Sequence, residues 1–236
     1  MIRARALSAA TAIVLVGSAC ASDPPLRRQE CYNPDAQLAA VLQPFEMLRA
    51  KGCVGESPQS GGASCARLRA EIERLLVVCP GHAPTLMANA VIDYDAQQFD
   101  KAQQLLDEIL ALPQIHPDAA GLRARIAIQE GNLSFARRLL DQQIRLSPGD
   151  AGLHEIYGAA LYLGGQLPEA RHELMTAGTL GAPPWRVAYH LGLVGEASGR
   201  FDEARRYYAE ALEGNPDFAP AGSRMKALGL MDGQQR

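Results

Sequence analysis

Past its first nineteen residues the chain has no apolar run long enough to cross a bilayer. It also has no basic excess. Removing 1–19 takes Arg3 and Arg5 from the 23 basic residues and leaves five more acidic than basic. No basic patch is left for nucleic acid, and an anionic lipid surface gains nothing from such a chain. Catalytic signatures are missing too. The five histidines are His82, His116, His154, His172 and His190, and none belongs to HExxH. His154-Glu155 and His172-Glu173 both lack a second His at the required step. GxSxG, the P-loop and the Rossmann fingerprint are absent, and Gly164-Gly165 has no lysine or strand beside it to make a phosphate cradle. Without a CxxC pair there is no compact zinc clamp. The sequence therefore assigns no catalytic residue, no metal and no cofactor, and reads as a non-enzyme.

What is present begins with a targeting signal. Met1–Arg5 is basic, Ala6–Val16 is a short apolar run, and small residues follow at Gly17, Ser18 and Ala19. Gly17-Ser18-Ala19-Cys20 resembles the lipobox of bacterial lipoproteins, which makes 1–19 the signal peptide and Cys20 the lipidated residue. A branched aliphatic residue is usual where Gly17 stands. The alternative is ordinary cleavage after Ala19-Cys20-Ala21, releasing a soluble periplasmic protein that starts at Ser22. Ala21 and Ser22, with no aspartate directly after Cys20, are similar to the outer-membrane-directed class. Residues 20–33, with Asp23-Pro24-Pro25 and Arg27-Arg28, read as a tether.

Four cysteines remain, Cys31, Cys53, Cys65 and Cys79, and an even number in an exported chain suggests two disulfides. Apolar spacing predicts one helix over 35–51, through Pro44, and a second over 64–78, with a Gly/Ser/Pro-rich stretch between. Packed antiparallel, these helices bring Cys53 to Cys65 at the loop end and Cys31 to Cys79 at the open end. The two bonds would contribute roughly 3 and roughly 4 kcal/mol on a chain-entropy argument.

From here the sequence repeats. Ala102, Ala136, Ala170 and Ala204 are each 34 residues from the next. Twelve residues before each lies Ala90, Ala124, Gly158 or Gly192, and four residues after each lies Leu106, Leu140, Leu174 or Tyr208. Gly131, Gly165 and Gly199 mark the turns of the last three units, with Gln97 in that place in the first, and prolines 113, 148, 183 and 216 close the units. A small residue on each helix lets its partner approach the backbone, and the large residue fills the gap. This set resembles the tetratricopeptide repeat family over 83–218, with Gln143 standing where a small residue is usual. The resemblance implies an all-α fold: an α-solenoid of helix-turn-helix units at 83–116, 117–150, 151–184 and 185–218. A disulfide-stapled hairpin, 34–82, would stack in front, with Leu68 and Ile72 at the places of Ala102 and Leu106. A capping helix would follow in 219–236, with a flexible tail from Met231.

In that family the inner groove is lined by fixed positions of the first helix of each pair. Carried over, they give Met87, Val91, Tyr94 and Asp95, then Leu122, Arg125, Ile128 and Gln129. The third unit supplies Glu155, Ile156, Ala159 and Tyr162, and the fourth Arg186, Tyr189, His190, Leu193 and Glu196. Apolar and tyrosine anchors among a few charges suit a peptide. Tyr162 and Tyr189 are expected to be replaceable by alanine with little loss of stability. Met87 and Val91 replace the basic and amide clamp that holds a terminal carboxylate in chaperone-tail grooves, so that recognition is not expected. The resemblance implies a scaffold for other envelope proteins or peptides, anchored by lipid at the outer membrane and facing the periplasm, in pilus, secretion or envelope-complex assembly. An accessory subunit presenting substrates to a periplasmic enzyme is the alternative.

Overall fold

The structure is a computed structural model that describes residues 31–49 and 65–234. Among them there is no strand. Helices α1 (Pro34–Arg49) and α2 (Cys65–Val78) form an N-terminal hairpin. Four pairs follow: α3 (Ala83–Asp95) with α4 (Phe99–Leu110), α5 (Pro117–Gln129) with α6 (Leu133–Leu146), α7 (Ala151–Leu163) with α8 (Leu167–Thr179), and α9 (Pro184–Ala197) with α10 (Phe201–Gly214). Helix α11 (Ala219–Gln234) closes the array. It continues four residues past Leu230, so the flexible tail expected from Met231 is helical to Gln234. The molecule is an α-solenoid.

Local signals set the helix limits. Pro84, Pro117, Pro168 and Pro184 occupy first turns, where their missing N–H costs nothing. Asn132 Oδ1 accepts from Phe135 N at 3.3 Å and Asp150 Oδ1 from Leu153 N at 2.8 Å, capping α6 and α7. The first helices of the pairs end alike. In each, a residue of positive φ lets the next N–H reach back five residues: Asn132 to Ala127, Gln166 to Leu161 and Arg200 to Gly195, at 2.8 to 2.9 Å. Gly131, Gly165 and Gly199 hold φ of 77°, 76° and 71°, and Gln97 takes the same conformation at 58°.

The core follows the small-for-large rule. Ala102, Ala136, Ala170 and Ala204 are fully buried, as are Leu106, Leu140, Leu174 and Tyr208. A Cβ on Gly158 would lie 2.7 Å from Leu174 Cγ, and one on Gly192 would lie 2.5 Å from Tyr208 Cε1. These glycines are therefore fixed by the ring or isobutyl group above them.

At the N-terminal end Leu38, Leu68, Ile72, Leu75 and Cys79 pack on Ile92 of α3. Cys31 is bonded to Cys79. Arg69 reaches the buried carboxylate of Asp93 at 2.7 Å, and His82 Nε2 lies 3.0 Å from Asp35 Oδ1, so side chains also tie the hairpin to α3. Burial raises the Asp93 pKa above its ordinary value, and Arg69 offsets this only in part. Residues 1–30, with Cys20 and the signal, and the proposed Cys53–Cys65 bond lie outside the described residues.

Candidate functional site

The first helices of successive pairs adjoin, α5 on α7 and α7 on α9, and α1 meets α3. The positions proposed for partner contact fall on this layer, and the structure divides them into three groups.

Met87, Val91 and Asp95 line a cleft of 660 Å³ between α1, α3 and the turn into α5. Its other wall was not anticipated. Leu38 and Leu42 of α1 face it, as do Ile115, His116 and Asp118 before and within α5. Ile115 is half exposed although apolar, and His116 Nε2 is buried without a hydrogen-bond partner among the described residues. Among the described residues the cleft's charged lining is acidic, Asp95 and Asp118. A sequence signal for Leu38 and Leu42 existed in their four-residue spacing, but nothing in it placed α1 against α3.

The central group is electrostatic. Glu155 is 3% exposed and accepts from Arg186 Nη2 at 2.5 Å, with His190 Nε2 at 3.7 Å from its other oxygen. Burial holds the His190 imidazolium below its usual range; Glu155 opposes this, and Arg125 and Arg186 reinforce it. Arg125 itself is exposed and has no hydrogen-bond or ion-pair partner among the described residues. Nearby, Gln129 Nε2 donates to Tyr94 Oη at 3.0 Å, and the Tyr94 ring leans on Phe99 with centroids 5.7 Å apart. Leu122 packs into the α3–α4 core, and Ile128 and buried Ile156 pack into the next.

The third group is already occupied. Glu196 accepts from Tyr208 Oη at 2.7 Å and from Arg224 of α11 at 3.0 Å. Burial, then the hydrogen bond to Glu196, pushes the Tyr208 hydroxyl pKa up. Tyr162, Tyr189 and Leu193 join the cluster around Tyr208 and Leu228, and Tyr189 meets Phe218 edge-on at 4.9 Å. Tyr162 and Tyr189 are thus packing residues, and their removal opens a core rather than only a surface. The N-terminal cleft and exposed Arg125 are open to a partner, while Tyr94, Arg186 and His190 are only partly exposed.

Among the described residues no cluster of His, Cys, Asp or Glu is arranged to hold a metal, and no helix is long and apolar enough to cross a membrane.

The tetratricopeptide repeat model matches residues 87–151, 122–179 and 177–220, more than half of the chain in all. Among solved structures, TTC0263, a thermophilic TPR protein of Thermus thermophilus, aligns with a TM-score of 0.65 at 20% identity, over 84% of this chain and 99% of that one. YrrB, a TPR protein with an unusual peptide-binding site, aligns at 0.57 and 12% identity, over 85% and 94%. The APC/C hetero-tetramer Cut9–Hcn1 aligns at 0.71 and 14% identity, over 88% of this chain and 38% of that one. Identities this low speak for the fold alone. No curated protein matches the chain.

Proposed function

The chain belongs to the tetratricopeptide repeat family, and from that premise we propose that it is a non-enzymatic adaptor that docks a peptide of another protein on its inner face. The observation that carries this reading is the open cleft along α3. A space of 660 Å³ walled by Leu38, Leu42, Met87 and Val91 leaves apolar surface that no other part of the described chain covers. Keeping such surface in water costs free energy, which a bound side chain would recover.

The adaptor works in the bacterial envelope as a lipoprotein. Cys20 carries the lipid, the outer membrane holds it, and the solenoid faces the periplasm, where it serves pilus, secretion or envelope-complex assembly. The signal-like residues 1–19 support this placement, and the Cys31–Cys79 bond fits an oxidising compartment. Mass spectrometry of the mature chain should find an acylated Cys20; a free Ser22 would mean a soluble protein.

The docking face is tested in intact cells with a photo-crosslinking residue placed at Val91 or, as a control, at exposed Met175 on α8. A discrete adduct is expected from Val91 and none from Met175. Adducts of equal yield from both positions, or from neither, would remove the assignment of the inner face.

A further inference from the structure

We propose that the cleft takes an extended peptide segment whose apolar side chains are flanked by lysine or arginine. This deepens the docking role given above and rests on it.

Three features of the cleft point there. Its walls are aliphatic, supplied by Leu38, Leu42, Met87 and Val91, and its volume of 660 Å³ suits a few apolar side chains. Its described charge is of one sign. Among the described residues Asp95 and Asp118 line it and no lysine or arginine does, and neither carboxylate has a hydrogen-bond or ion-pair partner there. Asp118 stands in the first turn of α5, where a carboxylate favours the helix dipole, so the fold alone explains it. Asp95 is the last residue of α3, where the dipole disfavours an anion. The fold gains nothing from that charge, but a cation entering the cleft would. The third feature is buried His116 Nε2, which has no hydrogen-bond partner among the described residues and which a main-chain group of an extended occupant can satisfy.

The probes are fluorescein-labelled peptides with two leucines in a glycine–serine frame, flanked by lysines, glutamines or glutamates. They are titrated onto the full mature chain and followed by anisotropy. The lysine peptide is expected to bind about tenfold more tightly than the glutamate peptide at low salt, and the preference should shrink as salt rises. Asp95→Asn should reduce that preference several-fold while leaving the melting temperature unchanged or higher, which a merely structural carboxylate would not do. Equal binding of lysine and glutamate peptides would overturn the charge assignment and leave peptide docking standing. Failure of all three peptides to bind would remove both. The chain carries a segment of this chemistry itself, Leu26-Arg27-Arg28. If R27S/R28S binds the lysine peptide markedly more tightly than the unaltered chain does, the cleft is held by its own tether, and an external partner is overturned as occupant.

Discussion

Gln97 holds φ of 58° at a position where three other units place glycine, with its N–H bonded to Tyr94 O at 2.9 Å. A side chain in this region costs about 1–2 kcal/mol, part of which glycine would return as unfolded-chain entropy. Gln97→Gly should therefore stabilise the protein by about 0.5 kcal/mol, a rise of about 2 °C in a thermal melt. Gly192 is the opposite case. A Cβ there would stand 2.5 Å from the Tyr208 ring, which is fully buried and tied to Glu196. Gly192→Ala should cost about 1–3 kcal/mol. Adding Tyr208→Leu recreates the Ala/Leu pairing of the first two units, so part of the loss should return, and a double-mutant cycle in urea reads the coupling directly. His190 adds a pH dependence. Its folded pKa lies below the ordinary 6.5, so above that value neither state is protonated and it contributes nothing. Below 6.5 the unfolded chain takes the proton more readily, and stability falls as pH drops towards the folded value. His190→Gln should flatten the stability profile below about pH 6.5, seen in denaturant midpoints.

At the scale of elements, the paired helices were legible because one spacing rule recurs four times, and each recurrence has a packing cause: Gly158 under Leu174 and Gly192 under Tyr208. Met87, Val91 and Asp95, which that register assigns to the groove, line the cleft. It could not locate Leu38 and Leu42, because α1 stands off the 34-residue step, separated from α2 by residues 50–64. Nor could register tell a groove residue from a packing one. Tyr189 looks like an anchor in sequence, and only the position of Phe218 and α11 shows its ring partly buried in packing. Helix α11 begins one step after the start of the fourth unit and behaves as a first helix without a second. Its Leu228 is 1% exposed against Tyr208 and Leu193, while Lys226, at the place of Gly192, is exposed. A charged side chain where a partner helix would need a small one ends the stacking. Leu228→Ala should cost about 2–3 kcal/mol and speed amide exchange in α10 and α11 first, with α5 and α6 unchanged in the same exchange experiment.

The whole molecule is a row of units that touch mainly their neighbours, so stability is distributed along the row and the ends are held least. The C-terminal end has Leu228, Arg224 and the Tyr208 cluster. The N-terminal end has α1, whose described contacts are with α2 and the edge of α3, and a covalent bond between residues 48 apart, Cys31 to Cys79. Opening that bond restores to the unfolded chain a loop whose closure is worth about 4 kcal/mol. Because the array is not one shared core, the loss should fall on the hairpin. Cys31→Ser with Cys79→Ser is expected to raise amide exchange through α1 and α2 while α7 to α10 keep their protection. The cleft loses a wall with them, since Leu38 and Leu42 ride on α1. A probe peptide that binds the oxidised chain should then lose affinity at temperatures where the Glu155–Arg186 region is still folded. Uniform loss of protection across all helices would contradict a row of separable units. Unchanged binding after the double substitution would mean that α1 takes no part in the site.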